Sequence, residues 1–197
     1  MQILFNRTAL LFIFSIFMES NYYKTTPMKN ILSALFIVLW TVSTQAQTPN
    51  ESKATSFYFI RHAEKNISNP ADKDPDLVMA GVLRAARWSS VFNSIDFDII
   101  STTNYKRTRN TALPIAEKKK LPLTYYSPND FDSVRYMKQN LGKTVLIVGH
   151  SNTIPAMVNA LIGKKQYKQI KETNYANLYI INITESGEII HQLLAIE

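Results

Sequence analysis

The sequence predicts an α/β fold: a three-layer α/β/α sandwich on a mostly parallel sheet, with an antiparallel C-terminal edge strand. Three observations carry this. Short β-branched and aromatic runs alternate with segments of helical apolar spacing along most of the chain. Thr144–Val148 shows no polar alternation, the pattern of a strand buried on both faces of a parallel sheet. The last two strand-like runs meet at Ser186-Gly187, a hairpin signal that must add an antiparallel strand.

The elements follow in order. Thr55–Ile60 reads as a strand ending on Arg61-His62, and the polar stretch after it, with Pro70 and Pro75, reads as a loop. Ala80–Phe92 carries Val82, Ala85, Ala86, Trp88, Val91 and Phe92 largely at helical spacing. Phe97–Ile100 is a second strand, Tyr105–Lys119 a helix, Pro122–Tyr126 a third strand and Phe131–Leu141 a helix. After the buried strand, Ile154–Ile162 is an apolar helix and Tyr167–Glu172 a short one. Leu178–Ile183 and Glu188–Leu194 are the closing strands.

With 197 residues, 46% apolar and 11% aromatic, the chain can bury one full core and is neither disordered nor fibrous. It has no cysteine, which excludes disulfides, thiol nucleophiles and thiolate metal sites. Its histidines are His62, His150 and His191, with no pair at helical ligand spacing, so no metal and no cofactor is expected. Asp72, Asp74 and Asp76 alternate as in a calcium loop but lack its glycine and bidentate glutamate. The net charge of +7 suits an anionic substrate, and equally a solvated basic surface. No basic and aromatic interleaving points to nucleic acid.

The N-terminal region divides from the rest. Residues 28–46 offer Lys29, the apolar run Ile31–Val42 and then Ser43-Thr44-Gln45-Ala46, which reads as a signal peptide with Thr44 and Ala46 at −3 and −1. The expected location is outside the inner membrane, in the periplasm, with membrane contact only through an uncleaved N-terminus. Residues 1–27, with their own apolar run Ala9–Met18, read as an upstream over-read or an extra N-terminal segment. Residues 47–55 read as a linker and 56–197 as the working domain. Without 1–46, which holds Arg7, Lys24, Lys29 and Glu19, the balance is 19 cations to 14 carboxylates, or +5. The exported protein should begin at Gln47 by N-terminal sequencing; a mature chain that keeps Met28–Ala46 would refute the signal peptide.

In doubly wound sheets, ligands sit beyond the carboxyl ends of the strands. Arg61-His62, Ser101-Thr102 and Gly149-His150 each fall just after a strand, so three segments bring polar groups to one edge. Arg61-His62-Ala63, the stretch Ser101–Ala112 with Arg107-Thr108-Arg109-Asn110-Thr111-Ala112, and Gly149-His150-Ser151 together resemble the histidine phosphatase superfamily, the phosphoglycerate-mutase-like proteins. Its opening Arg-His-Gly appears with Ala63 for glycine, and its S-x-x-x-R-x-x-x-T-A pattern is matched loosely, from Ser101/Thr102 through Arg107. The likeness runs from about Ser56 to Ile183. One departure is Leu77-Val78 where the family often has Leu-Thr, so the cap of the first helix must come from elsewhere, with Asp76 the candidate.

The resemblance implies His62 as a nucleophile that becomes a phosphohistidine. The physical chemistry of transfer agrees. Phosphoryl charge spreads over three oxygens, which suits the guanidiniums of Arg61 and Arg107. His150 can donate a further bond, and Ser151 and Asn152 stand where a helix begins, an anion-binding position. Ser151, Asn152 and Thr153 serve equally well as caps. His62 needs one neutral nitrogen, with the other held by a backbone carbonyl. Arg109 reads as a surface residue. The general acid, which in the family often comes from the loop after the third strand, is sought at Asp130, then Asp132, then Glu64; Asn129 or Asp130 equally suits a helix N-cap.

The expected function is metal-independent hydrolysis of a small phosphorylated substrate, a phosphomonoester. The alternatives are a phosphohistidine (phosphoramidate) phosphatase and a silent phosphate-binding module. A mutase is disfavoured because the chain lacks insertions to enclose a bisphosphate. Specificity would lie in Asn66–Pro75 and Ser127–Val134, and no protein partner is expected.

Overall fold

The computed structural model describes residues 54–197; residues 28–46, read as a signal peptide, the residues before them and most of the expected linker lie outside the described residues. Ten elements follow one another: β1 (Thr55–Arg61), α1 (Met79–Val91), β2 (Ile99–Thr102), α2 (Lys106–Lys119), β3 (Leu123–Tyr125), α3 (Ser133–Gln139), β4 (Thr144–Gly149), α4 (Thr153–Ile162), β5 (Asn177–Ile183) and β6 (Ile189–Ala195). The sheet order is β3-β2-β4-β1-β5-β6. β1 to β4 run parallel to their sheet neighbours among themselves, β5 pairs antiparallel to β1, and β6 antiparallel to β5. The antiparallel C-terminal edge is thus a two-strand hairpin, turned at Gly187 with φ +84°.

Strand alternation builds two apolar layers. Phe57, Phe59, Val145, Ile147, Tyr179 and Ile181 face α4, where Ile154, Met157, Val158 and Leu161 cover them. Ile60, Ile100, Leu146, Val148 and Leu178 face Trp88 and Phe92 at α1 and Ala112 and Ile115 of α2. The buried β4 pairs on both sides, with β1 and β2, as its unbroken apolar character requires.

Three expectations shift. The second strand spans Ile99–Thr102, two residues beyond Phe97–Ile100. Phe97 instead packs edge-on against Tyr58 and Phe92, at 5.6 and 5.4 Å between ring centroids, before the chain enters the sheet. Phe131–Leu141 contracts to α3 because the cap is Asp132, whose Oδ1 accepts from the Arg135 amide at 3.0 Å. Phe131 stays outside and packs on Tyr136 at 4.9 Å, as a hydrophobic staple does.

Tyr167–Glu172 is not helical, because its main chain bonds elsewhere. The Tyr167 carbonyl accepts from the Asn159 side chain, the Ile170 amide donates to the Ser151 carbonyl, and the Lys171 and Glu172 carbonyls accept from Arg61.

Two cap assignments are settled by the loop after β1. Asp76 does not cap α1; it accepts from the Leu77 amide and from Asn110 Nδ2, and Val78 supplies the N-cap backbone with no side-chain bond. Asp74 accepts from the Lys106 amide at 2.9 Å and so closes the first turn of α2. Gly81 lets α1 lie on the segment after β1: a Cβ there would collide with the Glu64 carbonyl oxygen.

Candidate active site

β4 lies between β1 and β2, so the carboxyl ends of these three strands are adjacent, and the loops beyond them enclose a pocket of about 280 Å³. Arg61, His62, Arg107, His150, Ser151 and Asn152 all line it. Lys65, Tyr105, Asn129 and Glu172 complete much of the wall.

His62 is 3% exposed, and its Nδ1 stands 2.7 Å from the Ala63 carbonyl oxygen. A carbonyl only accepts, so Nδ1 carries the proton and Nε2 the lone pair of the neutral ring. Burial is the main force holding His62 down to about 3. The Ala63 carbonyl opposes it, and the positive charges of Arg61, His150 and Arg107 reinforce it. Ala63 is fully buried and outside the left-handed region, so the methyl replacing the expected glycine is accommodated. Its amide donates to Thr111 Oγ1 at 2.9 Å, and Thr111 in turn donates to the Arg107 carbonyl. The second motif is thereby tied to the backbone beside His62.

The two guanidiniums differ. Arg107 has Nε and Nη1 buried without a hydrogen-bond partner; its nearest carboxylate, Asp74, is 3.7 Å from Nη1. Its Cζ lies 4.4 Å from the centre of the Tyr105 ring, a cation–π contact that fixes its plane. Arg61 is 2% exposed. Its Nη1 donates to the carbonyls of Lys171, Glu172 and Asn174, its Nη2 donates to Glu172 Oε2 at 2.6 Å, and its Nε has no partner. Arg61 thus anchors the 171–174 segment as well as facing the pocket. Buried N–H groups without acceptors are costly, and an anion in the pocket would satisfy them.

The His150 ring stands 5.6 Å from that of His62, centroid to centroid. Its Nε2 is 3.0 Å from Thr103 Oγ1, which is 2.9 Å from Thr108 Oγ1. Thr108 is fully buried and donates its proton to backbone carbonyls, so its oxygen accepts from the Thr103 hydroxyl and Thr103 Oγ1 is left to accept from His150 Nε2–H. Burial holds His150 down to about 4, reinforced by Arg107, Lys65 and Arg61. The Asn152 side chain makes no cap bond. Ser151 does not cap either: its Oγ donates to Glu172 Oε1 at 2.8 Å. Thr153 Oγ1 accepts from the His150 amide.

Other expected residues lie off the pocket wall. Asp130 is exposed, its Oδ2 accepting from Ser127 Oγ, although Pro128 and Asn129 beside it line the pocket. Asp132 is the α3 cap, and Glu64 Oε1 accepts from Arg84 Nε at 2.8 Å. Arg109 donates to Asn104. Ser101 and Thr102 lie within β2 rather than after it, and Ser101 Oγ bonds Thr124 and Tyr136 beneath the sheet's end. Thr103 stands where Ser101/Thr102 was expected. Counting four residues back from Arg107, as the S-x-x-x-R spacing does, reaches it. Glu172 and Tyr175, whose ring stacks 4.3 Å from Arg61 Cζ, carried no sequence signal.

The two histidines make stability depend on pH. An unfolded histidine takes a proton near 6.5, whereas the folded chain resists protonation until about 4 at His150 and about 3 at His62. Between these values the unfolded state binds more protons, so stability rises with pH through this window. Their contribution is complete above 6.5 and falls away as the pH drops toward 3. The urea midpoint should therefore be lower at pH 5 than at pH 7, and His150→Gln should shrink the difference. Equal midpoints for the unaltered protein would contradict the buried neutral rings.

Residues 57–127 match the model of the histidine phosphatase superfamily (branch 1), a span that includes Arg61, His62, Thr103, Arg107 and Thr111. No curated protein matches the chain. Among solved structures, a phosphohistidine phosphatase SixA from Agrobacterium tumefaciens is 20% identical, with TM-score 0.53, covering 72% of this chain and 97% of its own. The phosphoserine phosphatase of Entamoeba histolytica bound to 3-phosphoglyceric acid is 17% identical, with TM-score 0.56 and coverage of 73% and 98%. The protein histidine phosphatase SixA complexed with tungstate is 14% identical, with TM-score 0.58 and coverage of 71% and 96%. These likenesses establish a shared fold across nearly the whole of each relative, and the matched segment supplies the ends of β1 and β2 that meet at the pocket. Residues 57–127 are thus similar to the histidine phosphatase superfamily, branch 1, and the chain shares the fold of solved phosphatases.

Proposed function

We propose that the protein hydrolyses a small phosphomonoester through a phosphohistidine on His62. The observation that carries this is a single arrangement. A neutral imidazole with Nδ1 held by the Ala63 carbonyl shares a pocket with two guanidiniums that keep partnerless buried N–H groups. His62 Nε2 attacks phosphorus as the bond to the ester oxygen breaks. Water then attacks the phosphohistidine, releasing inorganic phosphate and restoring the neutral ring. Arg107 and the free Nε of Arg61 take the equatorial oxygens, the arriving dianion favours a second proton on His150 so that its ring donates a further bond, and Ser151 and Asn152 contribute at the start of α4. Export to the periplasm belongs to the same proposal and rests on residues 28–46.

A second reading, hydrolysis of a phosphoramidate such as phosphohistidine, is favoured by one observation. The three carboxylates expected as general acid, Asp130, Asp132 and Glu64, are not on the pocket wall, and a nitrogen leaving group that arrives already protonated needs none. Phosphate release from a panel of aryl esters, alkyl esters and phosphohistidine separates the two. The proposal expects turnover of the esters. Turnover of phosphohistidine alone would support the second reading, and release from none would leave a phosphate-binding module.

A further inference from the structure

Among the described residues lining the pocket, Glu172 is the sole carboxylate, and it was not among the acids expected. Its Oε2 accepts from Arg61 Nη2 at 2.6 Å and its Oε1 from Ser151 Oγ at 2.8 Å. Both donors belong to the seat that would take a phosphoryl group, so the carboxylate stands on that seat in place of an anion. Its main chain is fixed there, because Arg61 Nη1 holds the carbonyls of Lys171, Glu172 and Asn174 at 2.9, 3.1 and 3.0 Å. Its side chain is 65% exposed and can swing, whereas the His62 residue is 3% exposed and lies at the floor.

We propose that Glu172 is the general acid that protonates the departing ester oxygen. The inference rests on the phosphohistidine reading above. In-line displacement puts the leaving oxygen opposite the attacking nitrogen. With His62 at the floor, that oxygen points to the mouth, which the exposed Glu172 side chain can reach by swinging off the seat. An arriving phosphoryl dianion takes Arg61 Nη2–H and the Ser151 hydroxyl from the carboxylate and sets a like charge beside it. Losing stabilising donors and gaining a negative neighbour both raise a carboxylate's affinity for a proton. In the first half-reaction the bond from His62 Nε2 to phosphorus forms, the P–O bond breaks, and the Glu172 proton passes to the leaving oxygen to give an alcohol. In the second, the carboxylate takes a proton from the attacking water as the new O–P bond forms and the N–P bond breaks. His62 is again neutral and Glu172 again protonated.

The test is Glu172→Gln in the full-length protein, read as kcat/KM, which reports the steps through phosphorylation. Glycerol phosphate has a poor leaving group and p-nitrophenyl phosphate a good one. Glu172→Gln should lose about a hundredfold on the first and less than about threefold on the second. Equal losses on both substrates would overturn the inference, since they would mean that Glu172 only positions Arg61 and Ser151. No loss on either, or an unaltered protein that cleaves the aryl ester and not the alkyl ester, would overturn it too. Failure of the underlying reading looks different: no phosphoenzyme forms on the unaltered protein, whichever ester is supplied.

Discussion

Replacing His62 by alanine should abolish phosphate release while leaving the protein folded. The imidazole is the nucleophile of the proposed reaction, and the neighbouring His150 cannot substitute for it. The His150 ring centre lies 5.6 Å away, and its Nε2 is engaged with Thr103. The cost to the fold is small for a physical reason. The ring's one hydrogen bond joins Nδ1 to the carbonyl of the next residue, and the Ala63 amide keeps its own bond to Thr111 without it. The variant also leaves no buried partner charge behind, because the ring it removes is neutral. Phosphate release and thermal melting, measured on the same preparation, check both halves. Turnover near the unaltered rate would remove His62 from the chemistry.

Arg107→Ala should cost about 3 kcal/mol of transition-state stabilisation, or roughly a hundredfold in kcat, the usual price of losing one preorganised donor to developing charge. Arg107 is the better of the two guanidiniums to test. Two of its nitrogens are buried and partnerless, so the side chain is poised for a ligand and bears little of the fold. Arg61 also carries three carbonyls of the 171–174 segment, so its removal would mix lost chemistry with a loosened loop. His150→Ala should resemble Arg107→Ala. Arg109→Ala should cost far less, since Arg109 bonds Asn104 outside the pocket. An essential Arg109 with a dispensable Arg107 would mean that the second motif is set in the wrong register.

How far the sequence could be read follows from what sets each feature. β1, β4, α1 and α4 were legible because burial of an apolar stripe or run dictates them, and burial is written directly in residue type. Arg61, His62 and His150 were legible because strand ends of a parallel sheet converge, and Arg107 because the stretch Ser101–Ala112 resembles the histidine phosphatase pattern. The part not legible depends on contacts between distant segments. Thr103 was passed over for Ser101/Thr102 because β2 begins two residues late, after Phe97 has joined the aromatic cluster at Tyr58 and Phe92. The 167–172 segment has helix-compatible residues, yet Asn159, Ser151 and Arg61 take its backbone groups, and only the tertiary structure brings those partners. Glu172 reaches the pocket by that same non-helical path. An isolated glutamate in a Lys-rich stretch is otherwise the mark of a solvated surface.

The most direct measurement is to trap the covalent intermediate. A phosphomonoester labelled in its phosphoryl group is mixed with the protein, turnover is stopped in alkali, and the label is mapped by peptide. Label that survives base, is lost in mild acid, maps to the peptide containing His62 and is absent from His62→Ala is the expected result. A protein that releases phosphate without ever carrying label, or that carries it on His150, would contradict the phosphohistidine mechanism.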